Sequence, residues 1–140
     1  MKRNINIAIL YTFIAIAGGV FYREFTKWHG FGGRTTLSVI HTHYFMLGTI
    51  WLVLIFFLEN ILKHQVMDLR STALYQIGLN LTGFIFLVHG ILQVLNVSVS
   101  TGISAAISGV AGVGHILLAF SIIWILLRIR RIVTIKEGNS

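Results

Sequence analysis

The chain of 140 residues has no cysteine, no proline and only four acidic side chains. Absence of cysteine excludes disulfides, thiolate metal sites and covalent c-type haem attachment. Absence of proline leaves nothing to break a long helix from within. The four carboxylates, Glu24, Glu59, Asp68 and Glu137, all fall outside the interiors of the apolar stretches. A carboxylate-rich iron or manganese site inside those stretches is therefore not expected, which leaves imidazole chemistry. What abounds is apolar: 56% of residues are hydrophobic and the mean hydropathy is +0.85. So short a chain cannot bury that many apolar side chains in one soluble core, and lipid must cover its outside. It reads as one integral membrane domain with no internal repeat, low-complexity linker or second domain.

Residues 4–22, 35–58 and 71–127 hold no Asp, Glu, Lys or Arg. A crossing takes about 20 residues, so the third stretch must fold back once. The polar, Gly-ended segment 96–102 is where it can turn. This predicts an all-α integral membrane protein, a four-transmembrane-helix antiparallel bundle with helices over about 5–22, 37–58, 73–95 and 103–127. Lys2-Arg3, an apolar stretch and Ala15-Ile16-Ala17 also resemble a signal peptide with an A-x-A cleavage site. The segment is nevertheless read as the first helix, and the polar tail 136–140 is expected to fray.

Orientation follows from the basic residues. With both termini cytoplasmic, the inner side holds Lys2, Arg3, Lys63, Arg70, Arg128, Arg130, Arg131 and Lys136, and the outer side Arg23, Lys27 and Arg34. Eight against three fits the positive-inside rule. The formal charge of +7 then reflects topology and lipid headgroups, and no nucleic-acid partner is expected. Arg128-Ile129-Arg130-Arg131 reads as a membrane stop signal.

Histidine occurs in three of the four predicted spans: His41 and His43, then His89, then His115. An ionisable side chain in hydrocarbon is costly, and several at one depth point to a shared ligand. Counted along their helices, His41 and His43 lie roughly 6 to 9 Å from the outer side and His89 about 9 Å, and His115 lies about 12 Å below a hydrocarbon entry near Ile107, about 20 residues back from Leu127. The competing expectation is that each imidazole only hydrogen-bonds a neighbouring helix. Imidazole alone suits haem iron, copper or zinc. His64 falls in an inner loop and reads as solvated.

Helix geometry limits which histidines can cooperate. His41 and His43 point about 160° apart around one regular helix, so one should face the bundle centre and the other a second cofactor, an interface or a ligand edge. Gly48, seven residues after His41, lies nearly on the His41 face and offers room beneath it, whereas His43 shares its face with the bulkier Met46, Leu47, Ile50 and Leu54, so His41 is expected to be the one facing space inside the bundle. Around His115, Gly112 or Ala111, Ser108, then Ala105 or Ser104 form a face of small residues. Such a face admits either a neighbouring helix or a flat macrocycle. On the third helix Gly78 lies on the His89 face, Gly90 adjoins it and Gln93 follows one turn later, placed to orient the imidazole, bond a ligand edge or make an interhelical amide contact. In the first outer loop, Arg23, Lys27, Arg34 and His29 are placed to pair with haem propionates, or to anchor the interface together with Tyr22 and Trp28. Gly30, Gly32 and Gly33 form no phosphate-binding motif.

His41-Thr42-His43 followed by Leu47-Gly48, with His89-Gly90 and Gly114-His115 in the next two helices, resembles a family of short four-span bacterial membrane proteins of unassigned function. The pattern is more distantly similar to the haem-bearing helices of haem-copper oxidase subunit I and of haem-copper membrane proteins linked to nitric oxide stress. The resemblance implies a bacterial cytoplasmic membrane, and noncovalent haem b held by His41 or His43, His89 and His115. It does not imply oxidase activity: the spans hold no His-His copper pair, no carboxylate proton pathway and no tyrosine matched to a ligand histidine, and Tyr44 and Tyr75 read as packing or interfacial. Two axial histidines would suit electron transfer, and one would leave a position for oxygen or nitric oxide. A second haem or a copper beside the haem, and a homodimer around the macrocycle, stay open. The other classes are a histidine-only copper or zinc carrier and a non-catalytic membrane scaffold.

Overall fold

The structure, a computed structural model, describes residues 2–138. Four helices, α1 (Lys2–Trp28), α2 (Leu37–Leu62), α3 (Leu69–Val94) and α4 (Thr101–Gly138), are each long and apolar enough to cross a membrane. No strand occurs among the described residues. The order matches the sequence expectation, but every helix runs further than its apolar stretch at one end or both, α3 by starting at Leu69 and taking in Arg70. Apolarity marks the part that crosses hydrocarbon, whereas a helix ends where a cap or a left-handed residue ends it. For α1 that residue is Gly30 (φ +59°), with Phe31 N–H closing on Thr26 O at 2.9 Å. Lys63 (φ 53°) ends α2, and Asn96 (φ 51°) lies just beyond the end of α3. At the other end of α3, the Asp68 side chain caps the helix by accepting from Ser71 N–H at 2.8 Å. With no stop after Leu127, α4 continues through Lys136 to Gly138, so the fraying expected from 136 is not seen there, and residues 139–140 lie outside the described part.

The helices form an open series rather than a closed ring. α1 packs along α2, α2 on α3, and α4 mainly on α3. The last contact is close because both crossing points are glycine: a Cβ on Gly78 would lie 2.7 Å from Leu118 N, and one on Gly114 2.6 Å from Thr82 Oγ1. The buried face of α4 is therefore Gly114, Leu118, Ser121 and Ile125. Its first ten residues, from Thr101 to Val110, are exposed apart from half-buried Ile107.

One end of the molecule gathers the start of α1, the α2–α3 loop and the C-terminal part of α4. Fully buried Glu59 accepts from Val66 N–H (3.0 Å), Met67 N–H (3.1 Å) and Asn4 Nδ2 (3.1 Å). Arg3 donates to Met67 O and Thr72 Oγ1, and Arg128 reaches Asp68 at 2.5 Å. Asp68 is held well below the usual carboxylate range, at about 2: the Ser71 backbone N–H lowers it most, desolvation opposes that, and the Ser71 hydroxyl and Arg128 add smaller lowering contributions.

α2 is not a regular helix throughout. From Tyr44 to Ile50 it widens into a π-helical segment, where Trp51 N–H reaches Met46 O. The widened backbone leaves Leu47 O to accept from Tyr75 O–H at 2.6 Å. Gly48 seats the Tyr11 ring, since a Cβ there would stand 2.6 Å from it. The room expected beneath His41 at Gly48 is thus filled by Tyr11. Tyr44 and Tyr75, read from sequence as packing or interfacial, are core residues with polar duties: Tyr44 stacks on Tyr11 at 5.4 Å and donates to Asn80, and Asn80 in turn donates to Tyr11 Oη at 2.7 Å.

Candidate functional site

The residues with most chemistry meet where α2, α3 and α4 come together. His43 and His115 have ring centres 6.3 Å apart with planes at 87°. Phe86 of α3 contacts both, at 4.9 Å from His43 and 5.8 Å from His115. The helices impose the state of each imidazole. His43 Nδ1 lies 3.0 Å from Val39 O and His115 Nδ1 2.8 Å from Ala111 O. A carbonyl can only accept, so each Nδ1 carries the hydrogen and each neutral ring keeps its Nε2 lone pair free. That is the tautomer of a metal-ligating histidine, whose other ring nitrogen is held by a hydrogen bond to the protein.

The separation is also informative. A metal sits about 2 Å from an imidazole nitrogen, so two rings on opposite sides of one metal have centres roughly 6 Å apart. His43 and His115 stand at that spacing. The small face expected on α4 is present and largely open: Ser104, Ala105 and Ser108 are exposed, and a Cβ on Gly109 or Gly112 would meet nothing within 4 Å. Among the described residues no helix packs into it.

His41 goes elsewhere. It lines a groove of ≈ 390 Å³ between α1 and α2 with Ala15, Gly19, Arg23 and Phe45. Its Nδ1 is buried without a hydrogen-bond partner. The divergence expected within His41-Thr42-His43 is therefore a feature of the fold, with one ring toward α1 and the other toward α3 and α4.

His89 is half-buried and lines a shallow hollow with Gln93, Asn96 and Ser98, and no ring contact joins it to the His43 and His115 pair among the described residues. Gln93 serves the fold, because its Oε1 accepts the N–H of Thr36 at 2.8 Å, at the start of α2. Arg23, Lys27 and Arg34 are exposed; Arg23 borders the His41 groove, with Glu24 3.7 Å from its Nε. His29 is exposed and bonded to Phe25 O, and His64 is exposed as expected.

Among the described residues no group of three or more His, Cys, Asp or Glu side chains gathers as a metal cluster. Sequence reasoning missed Phe86 as the ring joining the two imidazoles, and the network that runs from buried Tyr11 and Tyr44 to half-buried Gln76 and exposed Asn80. The signal for the latter was Gln76 and Asn80, one turn apart on one helix face inside an apolar stretch.

Over residues 1–132 the sequence matches a family described as protein of unknown function, DUF2871, and the chain belongs to that family. No curated protein and no solved structure matches the chain.

Proposed function

We propose that the chain is a membrane haem b protein in which His43 and His115 are the axial ligands. The observation that carries this reading is the pair itself: two imidazoles 6.3 Å apart on different helices, each with Nδ1 tied to a backbone carbonyl. The donor set favours haem over a bare ion. Zinc needs four ligands, and the pair has no third or fourth His, Cys, Asp or Glu beside it among the described residues. Haem supplies four nitrogens of its own and asks the protein only for axial ligands. The open small face of α4 gives a macrocycle room beside His115.

When bound, haem with two axial imidazoles carries single electrons, and with one it leaves a position for a diatomic gas. The protein's part is to fix both tautomers, to hold the rings apart through the helices that carry them, and to shield the pair with Phe86. Two axial imidazoles favour the electron-transfer reading. The basic-residue balance supports cytoplasmic termini in a bacterial cytoplasmic membrane, with the imidazole pair toward the outer half. Arg23, Lys27 and Arg34 belong to that outer side and are the available partners for propionates. The uncovered start of α4 supports a homodimer.

The test is the absorption spectrum of the detergent-purified protein, oxidised and reduced, with haem extraction. A Soret band that sharpens on reduction, with about one haem per chain, is expected. Protein from haem-replete cells with no extractable haem overturns the reading, and a stoichiometric copper or zinc content would replace it with direct metal binding.

A further inference from the structure

α1, α2 and α3 surround a second groove, of ≈ 600 Å³, whose lining includes no residue of α4. This lies within the range of about 300–1,000 Å³ typical of small-molecule sites. Ile14 and Ala17 of α1, Ile40 of α2 and Leu87 of α3 contribute apolar wall, and Phe21 and Phe84 flank it. Ala17, Phe21 and Phe84 are exposed, so the groove opens sideways, toward the hydrocarbon around a membrane-spanning chain. Gly18 and Gly83 keep it narrow-walled: a Cβ on Gly83 would run into the Tyr44 hydroxyl, and one on Gly18 would press Ile40 at 3.1 Å.

The polar residues of the lining are Asn80 and Tyr44. Asn80 lies about eleven residues into α3, some 16 Å along its axis, near mid-membrane. An exposed amide at that depth costs free energy unless something meets it. Its Nδ2 hydrogens are engaged by Tyr11 Oη and the Gln76 backbone O, but Oδ1 accepts a long 3.3 Å bond from Tyr44 O–H. The pair therefore offers a ligand an acceptor, Asn80 Oδ1, which has a lone pair to spare, and a donor once the single Tyr44 hydroxyl hydrogen turns from its long bond to Asn80. No charged side chain lines the groove, which disfavours a phosphate or carboxylate head. An acyl chain brings no polar atom to answer the amide.

We propose that this groove binds a neutral, ring-headed, lipid-soluble molecule of the isoprenoid quinone class, with its head oxygen at Tyr44 and Asn80 and its tail leaving between α1 and α3 into lipid. The hydroxyl form donates to Asn80 Oδ1, and the carbonyl form accepts from Tyr44 when its hydrogen leaves Asn80 for the head oxygen, so both redox forms of the head are accommodated. The site is separate from the imidazole pair, although Tyr44 follows His43 on α2, and it does not depend on haem.

The experiment uses the full chain in lipid nanodiscs and equilibrium binding of radiolabelled short-tailed benzoquinone and naphthoquinone probes. Saturable uptake near one per chain is expected. Asn80→Leu removes the head contact, and Ala17→Phe fills the groove from an exposed position that leaves the buried network intact. Each should weaken uptake about tenfold or more, while His115→Ala leaves it unchanged even where it abolishes haem. Three results would overturn the proposal. The first is no saturable uptake of either probe, including the case in which Ala17→Phe converts a dimer to a monomer and so reveals a second copy as the occupant. The second is uptake unmoved by both groove variants. The third is displacement by a fatty alcohol as effective as displacement by unlabelled quinone.

Discussion

At one end of the molecule Glu59, Arg3, Asp68 and Arg128 join all four helices, or the loops between them, through hydrogen bonds and an ion pair. At the other end the first three turns of α4 lie almost wholly exposed, and the glycines along them meet nothing. The tied end satisfies its polar groups within the chain. The open end presents a face of small residues leading to His115, and the proposed function gives that face something to hold. Stability is thus expected to reside at the tied end and at the α3–α4 crossing, and ligand occupancy at the open end.

The largest effect should come from removing an axial ligand. His43→Ala or His115→Ala should reduce bound haem at least tenfold, read as Soret absorbance per protein, and His64→Ala should not. If His89→Ala removes haem and His115→Ala does not, the axial assignment moves to α3. At the tied end, Glu59→Leu leaves two buried backbone N–H groups without their carboxylate acceptor and should destabilise by about 3 kcal/mol in a detergent melt. A similar loss, about 2–3 kcal/mol, should follow Gly114→Val, because the side chain must push into Thr82 at the α3–α4 crossing. Gly109→Val, five residues earlier on the same helix, should change the melt by less than about 0.5 kcal/mol. Equal effects at Gly109 and Gly114 would mean that the open end is covered in the folded protein.

The smallest effect is a pH dependence. Asp68 is held at about 2 against an ordinary 3.8, so its carboxylate favours the folded state above about pH 4, and that stabilisation fades as pH falls from 4 toward 2. Its side chain is 39% exposed, so solvent screening limits the contribution to about 1 kcal/mol. Asp68→Asn keeps a helix-capping side chain and should flatten the acid limb of the melting curve.

The four spans were legible in the sequence because uninterrupted apolarity over a membrane's thickness leaves a chain without proline few alternatives. The opposed directions of His41 and His43 were equally legible, being a property of the helical turn. Gly48 was misread for an identifiable reason. A π-helical segment begins one residue after His43, and the place expected to be empty receives the Tyr11 ring. No local pattern announced that widening or its partner, Tyr75 of α3, whose hydroxyl reaches Leu47 O across the bundle. His89 was grouped with the other histidines by depth, yet depth says nothing of the direction a side chain takes around its helix.

By itself, the sequence determined that the chain is helical, apolar enough to cross a membrane four times and equipped with imidazoles but no carboxylates inside its uncharged stretches. These properties follow from composition and from the local period of the helix. Only the tertiary structure decided that His43 rather than His41 meets His115, that Phe86 joins them, and that the small face of α4 is left open. Those outcomes turn on which glycines let two helices touch, Gly78 and Gly114, and which do not, Gly109 and Gly112. A glycine permits close approach, but only the partner helix determines whether that approach occurs.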